Sequence, residues 1–490
     1  MSDAKAADAT SSSYPSSTKS AGALEDARAE LDQFDPELVK RTWRKVDWAI
    51  LPIAVILYLA AYIDRANIGN AKVLGLATSL KLTSSQYNWA LSIFFIGYVI
   101  FETPSNILLR KISPRWYIPT LTVLWGLVCV LFATVKSAKG LLAIRFFLGV
   151  AEAGFLPGIV YWLSCWYPRT LLGRRYAVLY STVSLTGAFG GLLATAIHSL
   201  DGTYGIAGWK AASQADSASS PSSSCPPTQA PRASSPPEKH VVLLANEADR
   251  GQRADERFRG AQVRAAFADW RTWLWGLVYI AIYIPVYSVI LSLPSVVTGL
   301  GYAGTHATLM ACPPYGLGFV IVLLAGWTTD RYGRLFCHFV GAIVVVMVAL
   351  VVLMAVENLV VRYVMFFFVM FMFIPVSVCW TWLGSNVTSA TKRAAALGVV
   401  FSLGNIGGTV SGQIYRAEWA PRYVQGHAIN IGCYAIALVA GGALWWSYKT
   451  DNERRDGAAN ETVKKTKQHD LLGEDLGDLG DRHPSFRYYL

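Results

Sequence analysis

Charge is scarce in this chain. Asp, Glu, Lys and Arg make up only 15% of its 490 residues, while 53% are hydrophobic. A soluble helical protein alternates polar and apolar faces, and long segments here are apolar all round. Cysteine is sparse as well. The seven, Cys129, Cys165, Cys225, Cys312, Cys337, Cys379 and Cys433, include no Cys-x-x-Cys pair. That spacing excludes a disulfide framework or zinc site and reads as small apolar packing. There is no Ser/His/Asp, Cys/His or metal-ligand constellation, so no enzyme chemistry, cofactor or metal is expected. No signal peptide is visible, because the first 45 residues are polar and apolarity begins at Trp48.

The most informative absence is a long apolar run near the middle. Eleven stretches of spanning length are present, at 47–72, 86–108, 116–136, 140–166 and 176–199, then 271–294, 307–329, 337–356, 361–385, 394–415 and 427–448. Runs of about 20 apolar residues cross a bilayer as helices. The second set repeats the first at an offset of roughly 220 residues, which is the mark of an internal repeat. That offset maps the last span onto 207–228, where the sequence is Ser- and Pro-rich. No uninterrupted apolar run of even ten residues occurs there. The reading is an all-α membrane protein of two bundles, nominally twelve spans, with span 6 missing or disrupted. A mistranslated exon or a pair of frame changes around 211–237 is the expected cause, with a genuine divergent loop as the alternative. Translation of the same nucleotides in other frames, with no apolar stretch emerging, would overturn it.

Charge placement supports the two-bundle reading. A net charge of +11 could suggest nucleic acid, but the basic residues gather in alternate loops, as at Arg110-Lys111, Arg174-Arg175, Arg331 with Arg334, and Lys392-Arg393. That is the positive-inside pattern, and it puts both tails in the cytoplasm. The expected organisation is a cytoplasmic tail over 1–45 and spans 1–5 over 46–200. A central segment with the disrupted span and a surface helix follows over 201–270. Spans 7–12 occupy 271–449 and a second cytoplasmic tail 450–490. Residues 1–34 and the tail beyond Tyr448 read as disordered. Asp35-Pro36-Glu37 reads as a helix start, with Asp as cap and Pro in the first turn.

Charges inside the spans mark the candidate site. The apolar run Trp48–Ile63 is only 16 residues, so span 1 must continue past Asp64-Arg65 and carry both into the membrane. Each central charge costs roughly 2.5–3.5 kcal/mol on insertion scales and normally faces a cavity or partner. In span 4, Arg145 and Glu152 are seven residues apart and share a helix face. Guanidinium groups offer forked donors to a carboxylate. Buried carboxylates take and release protons. Arg65 and Arg145 therefore read as anion ligands, and Asp64 and Glu152 as proton-coupling groups; structural ion pairs are the alternative. Glu102 in span 2 is open to either role. In the second bundle Tyr283 and Tyr287 share a face, and Asn386, Asn405 and Gln413 are polar in apolar settings. These are further substrate contacts or interhelical hydrogen bonds. His198 reads as an interface residue. The turn Gly326, Asp330, Arg331, Gly333 and Arg334 suits a gating loop between two spans.

That turn matches the G-x-x-x-D-R-x-G-R signature and resembles the major facilitator superfamily, with a degenerate first copy in which Arg110 stands in the Asp slot. Tyr62–Ala71, Phe94–Asn106, Arg145–Pro157, Gly187–Ala194 and Leu200–Trp209 are similar to the anion:cation symporter family, in its fungal allantoate, nicotinate and pantothenate permease branch. The resemblance covers about 35–210 and 238–450 and stops after Gly208-Trp209, where relatives enter an apolar sixth span. It implies alternating access and proton symport of a small organic anion across the plasma membrane by a monomer. By position, it makes Arg65 and Arg145 the substrate contacts and Asp64 and Glu152 the proton-coupling groups. A nutrient sensor on the same fold, or an inactive product of a faulty gene model, is the alternative.

Overall fold

A computed structural model describes residues 22–73, 76–132, 134–198, 236–250, 258–298, 305–387, 389–411, 414–415, 419, 422–462 and 486–490. Among these residues the structure is all-helical. The elements are α1 (Gly22–Leu31), α2 (Pro36–Val73), α3 (Leu76–Ser79), α4 (Ser84–Ile112), α5 (Pro114–Phe132), α6 (Ala138–Glu152), α7 (Phe155–Trp166) and α8 (Leu172–His198). Then come α9 (Pro236–Arg250), α10 (Gly260–Ala268), α11 (Trp270–Thr298), α12 (Thr305–Tyr332), α13 (Leu335–Ala355), α14 (Leu359–Val369), α15 (Phe373–Asn386), α16 (Ala390–Ser411) and α17 (Val424–Thr462). Every one of the eleven expected spans falls on a helix or a pair of abutting helices. The disrupted stretch 201–235 lies outside the described residues.

Local chemistry sets the helix starts. Asp35 Oδ1 accepts from Glu37 N at 3.1 Å at the head of α2. Thr83 and Gln86 form a reciprocal capping box on α4. Asn358 accepts from Val360 N and Val361 N at the head of α14. Large apolar side chains stand on the exterior: Trp48, Val360 and Val439 are 77%, 71% and 75% exposed. A water-soluble protein does not expose apolar surface on this scale, and a bilayer solvates it.

In the first bundle α2 packs on α8, and α4 and α5 pack on α6. In the second, α11 packs on α16 and α17, and α13 on α17. The bundles meet through α8 against α12 and α4 against α16. The half-repeat is visible in the backbone itself. Ser113 (φ 89°) and Gly333 (φ 63°) turn the chain between paired spans and stand 220 positions apart. Spans 4 and 10 are both broken midway. The first breaks at Ala153-Gly154 and the second at the 3₁₀ turn Met370–Met372.

Two expectations of disorder are corrected. Residues 22–31 form a helix within the N-terminal tail, because Ala27 packs on Leu244 and Ala248 of α9. The tail beyond Tyr448 continues as helix to Thr462, and residues 486–490 dock on the bundles. Both segments are polar in composition, and their order comes from partners distant in sequence. In place of the one surface helix expected within 201–270, the described residues there form two helices before span 7, α9 and α10.

Candidate functional site

Arg145 and Glu152, inside the span-length apolar segment Ala138–Trp166, are 3% and 1% exposed. The Arg145 guanidinium lies 5.5 Å from the Phe132 ring centroid and within electrostatic reach of Tyr87. Glu152 ends α6 because the next turn cannot be helical: Gly154 takes φ +77°, which glycine adopts without a Cβ clash. Ser105 Oγ donates to the carbonyl of Ala153 at 2.7 Å and lies 2.6 Å from the Tyr117 hydroxyl, so the break is satisfied by α4 and α5. Broken spans are where membrane proteins place polar sites. Asp64 and Arg65 lie within continuous helix α2, as the length argument requires. Their side chains, that of His198, and Gln413 lie outside the described residues.

A second group stands between the bundles. Tyr279, Tyr283 and Tyr287 form a ladder along α11 with centroid spacings of 4.4 and 5.3 Å. Trp380 Nε1 donates to the Tyr279 hydroxyl at 2.6 Å, and that hydroxyl donates to Tyr283 at 2.8 Å. From the first bundle Tyr180 and Tyr58 meet Trp380 edge-on at 5.0 and 6.2 Å. Phe401 stacks on Trp380 from α16 at 5.7 Å. Asn405 closes one end. It accepts from Tyr287 at 3.4 Å and donates to the fully buried Glu102 at 3.1 and 3.2 Å. Glu102 therefore joins α4 to α16 across the two bundles.

The basic loops gather on one face, and there the bundles are shut. Asp330 Oδ2 accepts from Arg174 N at 3.0 Å in the first turn of α8. A carboxylate suits the positive end of a helix, and this one belongs to the opposite bundle. Gly326 has no room for a side chain, because a Cβ would overlap the Ala177 methyl and lie 3.0 Å from Gly173 O. Thr103 and Ser402 share a hydrogen bond at 2.9 Å, and Asn106 Nδ2 donates to Ala394 O at 2.5 Å. Gly333 makes the turn, and Arg331 lies over Trp327 at 5.8 Å. Arg334 stands at the cap of α13. Residues 54–412 match the family model of the Major Facilitator Superfamily.

The chain belongs to the Major Facilitator Superfamily. It is 30% identical over 473 residues to the MFS-type transporter cnsO of Penicillium expansum, covering 92% of this chain and 90% of that protein. It is 32% identical to the MFS transporter prlL of a fungal species, over 84% of this chain and 86% of the other. It is also 30% identical to an uncharacterized transporter of Schizosaccharomyces pombe, over 87% and 90% of the two chains. The solved proton:xylose symporter XylE superposes with a TM-score of 0.65 at 15% identity, over 81% of this chain and 95% of that one. The human organic anion transporter MFSD10 gives 0.58 at 13%, over 81% and 99%. At those identities the likeness shows the fold. A transporter in a lipid bilayer is thus the frame into which the site residues fall.

Within that frame the sequence candidates separate. Arg145 and Glu152 lie in the first bundle. Tyr283, Tyr287 and Asn405 lie between the bundles. Asn386 stands at the basic face, where its amide is paired with the backbone of Tyr489. Sequence reading missed Tyr58, Tyr180, Tyr279 and Trp380, whose apolar neighbours make them look like ordinary core. It placed Arg393 in a loop. Arg393 is fully buried, 5.7 Å over the Tyr161 ring of the other bundle. Arg362 is not among those candidates; it is buried in α14, 217 positions after Arg145, and the half-repeat would have flagged it.

Proposed function

We propose that this transporter imports a small organic anion together with protons by alternating access. Arg65 and Arg145 hold the anion, and Asp64 and Glu152 carry the proton. Tyr283, Tyr287 and Asn405 complete the path between the bundles, with Asn386 at its basic-face end. The observation that carries the reading is the burial of Arg145 and Glu152, seven residues apart, beside a break in a membrane span. A buried cation at that depth is costly unless an anion or cavity compensates it. A carboxylate substrate matches the forked donors of a guanidinium. The resemblance of spans 1, 2, 4 and 5 to the anion:cation symporters supports the same class. The basic face is the cytoplasmic one by the positive-inside pattern, with both tails on that side of the plasma membrane. The working unit is one chain.

The test is uptake of radiolabelled nicotinate, pantothenate and allantoate into proteoliposomes under an imposed pH gradient. Uptake of one of them should follow the gradient and collapse with a protonophore. Arg145→Ala should abolish it without loss of folded protein, and Glu152→Gln should uncouple it from the gradient. Uptake indifferent to both gradient and protonophore would sink the symport claim. Unimpaired uptake by Arg145→Ala would remove the arginine from the site.

A further inference from the structure

Residues 486–490, Phe-Arg-Tyr-Tyr-Leu, form neither helix nor strand, yet Phe486 and Tyr488 are buried. Side chains of the bundles meet their backbone groups one after another. Arg455 Nη1 donates to Phe486 O at 2.7 Å, and Arg169 Nη1 to Arg487 O at 3.2 Å. The Asn452 amide pairs both ways with Tyr488, accepting from its N at 2.8 Å and donating to its O at 2.9 Å. Asn386 does the same for Tyr489 at 2.7 and 3.0 Å, and Trp382 Nε1 adds a bond to Tyr489 O at 2.9 Å. Leu335 N donates to Leu490 O at 3.2 Å. An asparagine amide facing a peptide unit offers one donor and one acceptor, as a neighbouring strand would.

The rings are held as closely. Tyr488 stacks on Tyr448 at 4.6 Å and 27°, with Arg271 and Arg455 over its ring at 5.0 and 4.8 Å. Arg169 stands 5.1 Å over Phe486 and 5.8 Å over Tyr489. Backbone bonds and cation–aromatic contacts together describe a ligand in a site.

The donors come from both halves. Asn386, Trp382, Asn452, Arg455 and Leu335 belong to the second bundle. Arg169 lies between α7 and α8 of the first, and its ion pair with Asp249 at 3.0 Å ties it to α9. The Tyr489 phenol is within electrostatic reach of Asp249, Arg169 and the gate carboxylate Asp330. Rocking that parts the basic face carries Arg169 away from Asn386 and Asn452. The peptide cannot then keep both sets of contacts.

We propose that the groove at the basic face is a peptide-binding site, that its ligand is residues 486–490 of the same chain, and that its occupancy holds the basic face closed. The proposal rests on the two-bundle fold and not on the substrate or the proton.

The test therefore reads conformation rather than uptake. The full chain is placed in lipid nanodiscs on a cysteine-free background, with spin labels at K111C and Y332C, exposed ends of α4 and α12. Deletion of 486–490 should raise the ratio of long to short inter-label distances at least tenfold. The synthetic peptide Phe-Arg-Tyr-Tyr-Leu, added to the deletion variant, should return the ratio toward that of the full chain. Asn452→Ala in the full chain should shift it in the same direction as the deletion, and supplies the readout if the deleted protein does not fold. Tyr488→Ala, which removes both the stacked ring and the hydroxyl that accepts from Arg271 at 3.0 Å, should shift it in the same direction as the deletion. Distances unchanged in folded deletion or Asn452→Ala protein would overturn the proposal. So would a peptide that neither binds nor closes the deletion variant.

Discussion

The closest approach of the two bundles at the basic face is at Gly326. A Cβ at this position would lie 3.0 Å from Gly173 O and 3.1 Å from Arg174 Cα, and would overlap the Ala177 methyl. Carbon atoms pack best at about 3.5–4.0 Å. Two of the three obstacles are backbone, so rotamer changes cannot relieve the overlap, and α12 must move off α8. Overpacking of this kind costs about 1–3 kcal/mol. The cost falls only on the state in which the basic face is shut. Every ~1.4 kcal/mol is tenfold in a population ratio, so Gly326→Ala should move the equilibrium toward the open face by about 5- to 150-fold. Accessibility of a thiol at Thr103→Cys to a membrane-impermeant reagent, added from the basic side, measures the shift. Adding Ala177→Gly should restore part of the protection, because it removes the methyl that overlaps most. Equal labelling in Gly326→Ala and parent would show that the close approach does not gate the face. So would a failure of Ala177→Gly to reverse any increase.

Three further outcomes test other parts of the reasoning. Gly154→Ala should lower stability by about 1–3 kcal/mol, seen as a lower unfolding midpoint, because a left-handed residue gains a Cβ against Ser105. Glu102→Ala and Asn405→Ala should be strongly non-additive in thermal unfolding, with a coupling of about 1–3 kcal/mol; additive effects would deny the buried pair across the bundles. Asp47→Asn removes the charge from a two-bond pair with Arg175, made at 3.0 and 2.8 Å, and should destabilise the first bundle by about 1.5–3 kcal/mol. By contrast, Glu37→Ala, in an exposed pair with Lys40, should change stability by less than about 1 kcal/mol.

Much of the architecture was legible because a bilayer imposes a rule that sequence must obey. Nine helices among the described residues are long and apolar enough to span, each on an expected span, and Ser113 and Gly333 turn the chain at the 220-residue offset. The charges of span 4 were legible for the same reason, since Arg145 and Glu152 are conspicuous where charge is expensive. The aromatic column was not. Tyr58, Tyr180, Tyr279 and Trp380 sit in apolar runs where any aromatic could be core. Only the meeting of two bundles makes them a connected set. The helix break at Gly154 was likewise invisible, because a lone glycine in a span is common and only its φ reveals the turn.

The tail shows the limit most plainly. Polar composition after Tyr448 argues for disorder, and by itself that inference is sound. What it cannot include is a groove assembled from Arg169, Asn386, Asn452 and Arg455, residues separated by up to 286 positions. The sequence by itself determined a two-bundle membrane fold, its spans and its intramembrane charges, because insertion energy is a sum over local segments. Only the tertiary structure decided which side chains of the two bundles face one another, where the basic face closes and which residues dock there. Those contacts join residues that are distant in the chain, and no local term encodes them.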